Sequence, residues 1–244
     1  MHDHAPDAPC AECAALRHDQ AVLALGLSHD VRAPLRVIDS FAYLLEQRTA
    51  PLLDDTARDH LRRIRDASTR MARLLTRLQA YLQAGSAPLH ADQVDLTLLA
   101  DWCTAELRDA MPERDAHIEI ASNMRAHGDE RLLKSALVEL VHNAFAFTPA
   151  DRAVRILIDA DTDAHGVTLH VRDTGTGFDA ARAARLGEPF QRLDPDTHPD
   201  GSGLGLAIAR RIAERHGGSL HVEGTTGEGA VAHLFLPHAA AAAP

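Results

Sequence analysis

A histidine and a carboxylate stand side by side at His29 and Asp30, within the stretch LSHDVRAPL of residues 27–35. A neutral imidazole is a competent nucleophile near neutral pH. A neighbouring carboxylate can accept a hydrogen bond from the other ring nitrogen and take up a proton during the reaction. The pair is therefore a candidate nucleophile with its base. The alternative is a chance surface histidine, because the chain has 16 histidines, and the other motifs decide between the two.

Two clusters of oxygen-bearing side chains follow in the second half of the chain. Glu139 and Asn143 stand four residues apart and so share one face of a helix. Their oxygens are the hard ligands that Mg²⁺ requires, so beside a nucleotide Asn143 could bind the ion and Glu139 could orient it or a water molecule. Asp173 directly follows a strand, and its carboxylate can accept the amino group of adenine, while Gly175 and Gly177 let the backbone approach a ligand. Taken alone, the Glu–Asn pair is too common to indicate a function, and a strand-ending turn is the favoured interpretation of the second cluster.

Two further clusters are suited to phosphate groups. In the stretch GEPFQR, residues 187–192, we expect a buried Phe190 to anchor a lid and Arg192 to contact phosphate oxygens. The next cluster runs into a helix, so that backbone N–H groups and the helix dipole can bind phosphate. Its glycine spacing differs from that of a dinucleotide-binding fingerprint. This cluster consists of Gly201, Ser202, Gly203, Leu204 and Gly205.

The elements that must position His29 are two long amphipathic helices. Apolar residues recur every three or four positions over residues 14–48 and again over residues 54–83. One hairpin cannot bury both apolar stripes, and dimerisation into a four-helix bundle solves that problem, so we predict a homodimer. Residues 85–88, Gly-Ser-Ala-Pro, end the second helix and are typical of a linker.

Beyond the linker the pattern becomes mixed α and β. Asn143 falls near the end of a predicted helix, Asp173 directly after a predicted strand, and the cluster 201–205 at the start of another helix. The predicted helices cover residues 96–111, 130–146, 180–186 and 204–216, and the predicted strands cover residues 117–121, 154–160, 167–172, 219–223 and 230–236.

Composition narrows the class of protein. A chain of 244 residues can form two small domains or one large one, and its net charge of −10 argues against nucleic acid or an anionic membrane as the main partner. No run of about 20 apolar residues occurs, and the start does not resemble a signal peptide. Three cysteines cannot form a disulfide framework. We therefore expect a cytoplasmic protein with free thiols.

The two ends of the chain are predicted to be flexible. Residues 1–15 are rich in Ala, Pro, Asp and His, and residues 239–244 form an Ala-rich tail. The first segment holds four residues that could bind zinc or another borderline metal, although a single Cys-x-x-Cys pair is a weak signal and a disordered arm is the favoured interpretation. These residues are His2, His4, Cys10 and Cys13.

The four clusters of the second half occur in a fixed order that resembles the ATP-binding domain shared by histidine kinases, DNA gyrase B, the heat-shock ATPases and the mismatch-repair ATPases. In that resemblance Asn143 belongs to the Asn box, residues 173–177 to the first glycine box, Phe190 to the Phe box and residues 201–205 to the second glycine box. The stretch around His29 resembles the phosphoacceptor box of bacterial sensor histidine kinases. Among these families, only the histidine kinases place the ATP-binding domain behind a dimerising helical hairpin with such a box.

The resemblance covers about residues 20–237 and implies a fold for each part. Residues 16–86 would form a helical hairpin that dimerises into a four-helix bundle and carries the phosphoacceptor. Residues 92–238 would form an α/β two-layer sandwich of the Bergerat type, with ATP under a mobile lid of about residues 191–202.

The resemblance also implies the activity of a protein histidine kinase. His29 would attack the γ-phosphoryl group of Mg-ATP, Asp30 would orient the imidazole and accept its proton, and Glu139 and Asn143 would hold Mg²⁺. The phosphoryl group would then pass to an aspartate in the receiver domain of a separate response regulator. A non-catalytic ATP-binding scaffold dimer is disfavoured because His29, Asp30, Asn143 and Asp173 are all present. An ATPase of the gyrase or heat-shock type is disfavoured by the hairpin.

Three positions depart from the family pattern. Ala33 stands where phosphatase-active members carry Thr or Asn, so we expect weak or absent phosphatase activity. Ala146 replaces a frequent Lys, and Ser202 replaces the commoner Thr.

With no sensor domain ahead of the hairpin, the input would come from the arm of residues 1–15, a separate sensor protein or a domain outside this sequence. The signal, the choice of regulator, and phosphorylation in cis or in trans stay open.

Overall fold

The computed structural model describes residues 11–179, 185–193 and 201–238, and for residues 11–25 and 27–29 it describes the backbone alone. The chain divides into two compact units at the junction of Ser86 and Ala87. The first unit is helical, and the second combines helices with strands.

The first unit is a hairpin of two helices, α1 (Ala11–Thr49) and α2 (Asp55–Ser86). The side chain of Asp54 caps α2, because its Oδ1 accepts a hydrogen bond from the N–H of Ala57 at 2.7 Å. Both predicted helices are confirmed, with boundaries within three residues of the prediction.

Polar side chains join the two helices along their length. Arg32, one turn beyond His29, donates from Nη2 to Oε1 of Gln79 at 2.7 Å. Nearer the turn, Arg65 donates from Nη1 to Oε2 of Glu46 at 2.9 Å. These cross-contacts fix how the helices are aligned along each other.

The hairpin leaves much of its apolar surface exposed. Leu35 and Leu61 are buried between the helices, whereas Phe41 keeps 67% of its surface exposed. One hairpin therefore does not bury both apolar stripes, as the sequence predicts. The exposed large apolar side chains of this unit include Val37, Ile38, Phe41, Tyr43, Leu44, Leu45, Leu52, Ile64, Met71 and Leu74.

The second unit is an α/β two-layer sandwich. Its elements are β1 (Asp92–Asp95), α3 (Leu96–Ala110), β2 (Ala116–Ile120), β3 (Arg125–Gly128), α4 (Glu130–Ala146), β4 (Val154–Thr162), β5 (Gly166–Asp173), α5 (Gly205–Arg215), β6 (Ser219–Thr225) and β7 (Gly229–Pro237). The main sheet has the strand order β2-β4-β5-β7-β6, and β1 pairs with β3 in a separate two-stranded sheet. In the main sheet β2 and β4 are parallel, and the other neighbours are antiparallel.

The core of this unit lies between the helices and one face of the main sheet. Inward-facing side chains alternate along the strands, as Ile156 and Ile158 do on β4, and they are buried. From the helices, Leu133, Leu137 and Ile208 are completely buried against them. The predicted α4 is confirmed with its predicted bounds, and the five predicted strands of the main sheet are all present.

Three parts of the sequence prediction differ from the structure or fall outside it. The sequence does not predict the strands β1 and β3, because each has four residues and only Val94 on β1 and Ala126 and Gly128 on β3 are buried. The predicted helix over residues 180–186 lies mostly outside the described residues, as do the candidate metal ligands His2, His4 and Cys10. The backbone of Cys13 lies in α1, so the prediction of a flexible arm is wrong for residues 11–15, which continue this helix. Among the helices that the structure describes, none is both long and apolar enough to cross a bilayer.

The outer face of the main sheet, opposite the helices, carries ionisable side chains. Burial, reinforced by the neighbouring His170, lowers the pKa of His233 on β7. Glu223 on β6 opposes this shift, while His221 on β6 and Arg172 on β5 add to it. The carboxylate of Asp161 on β4 faces His170.

This lowered pKa makes the stability of the second unit depend on pH. Below a pH of about 6.5 the unfolded chain binds a proton at His233 that the folded chain takes up less readily. We therefore expect unfolding to become easier as the pH falls from 7.5 to 5.5, by an amount corresponding to at most one proton. Urea denaturation at both pH values measures it. In His233→Gln the decrease should be smaller than in the wild type, and an identical decrease in both proteins would contradict the assignment.

Candidate active site

The helix α4 presents the first two site residues. Asp129 caps its start by accepting hydrogen bonds from the N–H groups of Arg131 and Leu132. Burial alone would raise the pKa of Asp129, but the N–H of His90, the side chain of Arg131 and the N–H of Leu132 outweigh it and hold the pKa at about 2. The cap therefore stays ionised at the positive end of the helix dipole. Farther along, Glu139 is buried and Asn143 is half-buried one turn later.

Asp173 is held in one orientation at the end of β5. Its Oδ1 accepts hydrogen bonds from the N–H of Gly175 at 2.8 Å and from the N–H of Ala230 on β7 at 3.2 Å. Both bonds use the same oxygen, which leaves Oδ2 to meet a ligand. Burial raises the pKa of this carboxyl group, and the two N–H donors oppose that shift. Because Oδ1 is occupied by these two donors, Oδ2 is the atom that can accept a hydrogen bond from the amino group of a ligand.

The loop after β5 is tied to the end of α4. The N–H of Thr176 donates to the carbonyl oxygen of Phe147 at 2.9 Å, and Phe147 itself donates to the carbonyl of Asn143. A Cβ atom on Gly175 would lie 2.7 Å from that same carbonyl oxygen of Phe147, so only glycine permits this approach. The structure therefore brings Asn143 and the loop of residues 173–177 together.

Sequence reasoning misses the contribution of the turn between β6 and β7. Gly229 has φ +108°, and a Cβ atom there would lie 2.0 Å from the carbonyl oxygen of Asp173. Because residue 229 is glycine, β7 can lie close enough to Asp173 for the N–H of Ala230 to donate to its carboxylate. The sequence pattern indicates only a closing hairpin for this turn, although two glycines at a tight strand start are a usable signal.

Substituting Gly229 should therefore damage nucleotide binding as well as stability. In Gly229→Ala we expect β7 to shift, the bond from Ala230 to Asp173 to break and ATP affinity to fall about 10-fold, as loss of a bond to a charged group predicts. Gly227→Ala is the matched control, because Gly227 also has a positive φ, +86°, but a Cβ atom there meets nothing within 4 Å. It should cost about 1 kcal/mol of stability and leave affinity unchanged. Equilibrium dialysis with ATP and urea denaturation measure both; equal affinity losses in the two variants would contradict this role.

The second glycine cluster forms the start of α5. Gly203 has φ +69°, and the N–H of Leu204 bonds to Oγ of Ser202 at 3.2 Å. No side chain caps the helix at Leu204. The backbone N–H groups of its first turn, at Gly205 and just beyond, lie at the positive end of the helix dipole, which suits an anion such as phosphate.

Phe190 differs from the prediction. The sequence predicts a buried ring, but 55% of Phe190 is exposed, and its φ is +63°. The backbone of Phe190, and not its ring, holds this turn against the second glycine cluster, because the N–H of Phe190 donates to the carbonyl oxygen of Gly203 at 3.0 Å. A Cβ atom on Gly203 would lie 2.7 Å from the carbonyl carbon of Phe190, so the two turns pack backbone to backbone. Arg192, two residues later, is half-buried.

Of the remaining predicted site residues, some lie in the first unit, some lie in the second, and some fall outside the described residues. His29 and Asp30 lie in α1, where Asp30 is exposed, and the side chain of His29 lies outside the described atoms. Gly201 is exposed, and residues 194–200 of the predicted lid lie outside the described residues. The second unit carries Glu139 and Asn143 on α4, Asp173 at the end of β5 and the cluster of residues 201–205 at the start of α5.

The donor set of α4 fits a magnesium ion. Glu139 and Asn143 are one helical turn apart on one face, and both offer oxygen atoms, the ligand type that Mg²⁺ prefers. Within the described residues, no group of three His, Cys, Asp or Glu side chains already converges on one point. A magnesium ion here would complete its shell with water and with phosphate oxygens, as Mg²⁺ does at nucleotides.

Two family models match the chain, one on each unit. Residues 20–86 match the His Kinase A (phospho-acceptor) domain. Residues 128–240 match the Histidine kinase-, DNA gyrase B-, and HSP90-like ATPase family.

Curated relatives cover most of the chain. It is 28% identical to a phytochrome-like protein of Synechocystis over 86% of the chain and 28% of that protein. It is 30% identical to the sensor protein IrlS of Burkholderia pseudomallei over 81% of the chain and 42% of that protein. It is 27% identical to the histidine protein kinase DivJ of Caulobacter vibrioides over 96% of the chain and 40% of that protein. The chain thus spans less than half the length of these relatives.

Solved structures give the same likeness. The fold is similar to that of full-length ShkA in complex with AMPPNP, with a TM-score of 0.65 and 28% identity over 89% of this chain and 46% of that chain. The mycobacterial sensor histidine kinase MprB has a TM-score of 0.51 and 26% identity over 61% of this chain and 97% of that chain.

Proposed function

This chain belongs to the sensor histidine kinases, and from that premise we propose that it transfers the γ-phosphoryl group of ATP to His29. We further propose that the group then passes to an aspartate in the receiver domain of a separate response regulator. The domain limits of residues 16–86 and 92–238, and a cytoplasmic location, belong to the same proposal.

The observation that carries the proposal is the fixed carboxylate of Asp173. Two backbone N–H groups hold its Oδ1, and Oδ2 is left to accept the amino group of adenine. Gly175 and Gly177 keep the backbone of this loop close to its neighbours. The N–H groups at the start of α5 can bind the phosphate groups of the same nucleotide.

The negative charge of the phosphate groups would be neutralised by a Mg²⁺ ion held on α4. Glu139 and Asn143 would bind Mg²⁺, which supplies positive charge to the phosphate oxygens when bound. Glu139 is buried, so its charge acts in a surrounding of low polarity and is little screened by solvent. Arg192 adds a guanidinium group that can contact phosphate oxygens in a fork.

On the hairpin, His29 is the nucleophile. A neutral imidazole nitrogen attacks phosphorus, the bond from phosphorus to ADP breaks, and the ring proton must leave as the phosphoramidate forms. Asp30, the exposed carboxylate next in sequence, would orient the ring and accept that proton.

A homodimer is part of the proposal. The exposed Phe41, Leu45, Ile64 and Met71 lie on the helices α1 and α2 and would be covered when two hairpins form a four-helix bundle. Sedimentation of the purified chain tests this, and a monomer at micromolar concentration would contradict it.

Incubation of the purified chain with Mg²⁺ and γ-labelled ATP tests the activity. We expect one labelled site whose phosphoryl bond is labile in acid and stable in alkali. Asn143→Ala should lose label with the fold retained. Nucleotide binding without label would instead favour the ATP-binding scaffold, and label stable in acid would exclude a phosphohistidine.

The phosphatase activity of this chain should be weak. Ala33 stands four residues after His29 and has no side-chain group that could orient a water molecule. We expect Ala33→Thr to speed the loss of phosphate from a phosphorylated regulator severalfold, while Ala33→Val, of similar size, should leave the rate unchanged. Rapid loss with the wild-type chain, or equal rates with both variants, would contradict this expectation.

A further inference from the structure

Three histidines lie in a row across the outer face of the main sheet, away from the proposed nucleotide site. His170 on β5 is paired with His233 on β7, and His233 is paired with His221 on β6. Glu223 follows two residues after His221 and therefore points to the same face. The Asp161 carboxylate on β4 lies at the other end of the row.

When both rings are neutral, the hydrogen bonds allow one arrangement of the protons in this row. Oδ2 of Asp161 lies 3.2 Å from Nε2 of His170, and an ionised carboxylate only accepts, so Nε2 of His170 carries a proton. In a neutral ring Nδ1 of His170 is then an acceptor. Nδ1 of His233 lies 2.8 Å from it and must be the donor. The lone pair of the neutral His233 ring therefore lies on Nε2.

That lone pair has no partner and faces a carboxylate. Nε2 of His233 is buried and makes no hydrogen bond, and Oε2 of Glu223 lies 4.0 Å away. The other oxygen of Glu223 lies 3.2 Å from Nε2 of His221. A ring lone pair and a carboxylate repel each other unless a cation lies between them, so this arrangement is suited to a positive ion.

We propose that His221, Glu223 and His233 form a binding site for a divalent transition-metal ion of the Zn²⁺ class. Two imidazole nitrogens and one carboxylate oxygen are a ligand set that such ions take. His170 and Asp161 support the site, because a metal-binding histidine ordinarily donates its other ring N–H to an acceptor that orients the ring. This site lies apart from the residues proposed to hold ATP.

The site closes by movement of its two exposed members. His233 is held by His170, and its side chain is 26% exposed, whereas the side chains of His221 and Glu223 are 69% and 67% exposed. No three ligand atoms in the described part of the chain yet lie at metal-binding separation. Binding therefore requires His221 and Glu223 to turn toward the fixed Nε2 of His233.

A proton competes with a metal ion for the lone pair on Nε2 of His233. A proton on Nε2 would make His233 an imidazolium that pairs with Glu223. Burial and the neighbouring His170 lower the pKa of His233, which keeps the ring in the neutral form that binds metal near pH 7.5.

Titration of the chain of residues 1–244 with Zn²⁺ alone at pH 7.5 tests the proposal. His2→Ala, His4→Ala, Cys10→Ser and Cys13→Ser form the common background, so that the amino-terminal arm contributes no ligands. In that background we expect one Zn²⁺ per chain by calorimetry. The affinity should fall about 10-fold or more in His221→Gln, Glu223→Gln and His233→Gln.

His117→Gln is the matched control, because His117 is an exposed histidine on β2 on the same face of the sheet but outside the row. It should bind Zn²⁺ like the background protein. His221 and Glu223 are exposed, so their variants fold and keep the test decisive even if His233→Gln does not. Absence of saturable binding, or an affinity unchanged in both His221→Gln and Glu223→Gln, would overturn the proposal and leave the row a structural link between β5 and β7.

Discussion

Replacement of His29 by glutamine should remove the covalent label from the protein while nucleotide binding remains. Glutamine keeps a polar side chain of similar length on α1, but its amide nitrogen is not nucleophilic. We expect the rate of labelling from γ-labelled ATP to fall by about 1,000-fold or more, as loss of a nucleophile predicts. ATP affinity, measured by equilibrium dialysis, should stay within about twofold of the wild type, because the proposed nucleotide ligands all lie in the second unit.

His60→Gln is the matched control for this prediction. His60 is an exposed histidine on α2, so its replacement makes the same chemical change in the same hairpin. It should be labelled like the wild type. Label that survives in His29→Gln would place the acceptor on another residue and contradict the mechanism, whereas loss of label in both variants would point to damage to the hairpin.

The helices are the most predictable part of the fold, because their signal is local. The apolar spacing of α4 predicts its bounds, and its buried Leu133, Leu137 and Val141 occupy the expected stripe. The strands β1 and β3 cannot be predicted in the same way, since four residues show no period and their pairing depends on residues 30 or more positions apart, such as Val94 with Ala126. Their stability comes from the surrounding fold and not from their own sequences.

The candidate site also has parts that local sequence predicts and parts that depend on distant residues. Glu139, Asn143, Asp173 and the glycine clusters are predicted as site residues from their types and order, and the structure places Asn143 beside the loop of residues 173–177. What holds Asp173 cannot be identified in this way, because Ala230 is 57 positions away and contributes only a backbone N–H, which any residue but proline has. Phe190 is expected to be buried because it is a large apolar residue, but the turn is held through its backbone, so the ring stays exposed.

Replacement of Asp173 by asparagine should weaken ATP binding without disturbing the loop that carries it. The amide oxygen can still accept the N–H groups of Gly175 and Ala230, so the bonds that orient the side chain survive. The amide nitrogen then takes the place of Oδ2 and points a donor at the amino group of adenine, which is also a donor. Loss of a hydrogen bond to a charged group predicts an affinity about 10- to 100-fold lower.

A second nucleotide separates this contact from the change in charge. Purine riboside triphosphate has the phosphates of ATP but lacks the adenine amino group. Removing the Asp173 charge alters the binding of both nucleotides equally through their phosphates, so the ratio of their affinities reports the amino contact alone. The wild type should prefer ATP by about 10-fold or more, Asp173→Asn should lose this preference or reverse it, and Asp101→Asn, at an exposed position on α3, should keep it. A full preference for ATP in Asp173→Asn would show that another group reads the adenine, and the assignment of Asp173 would then be wrong.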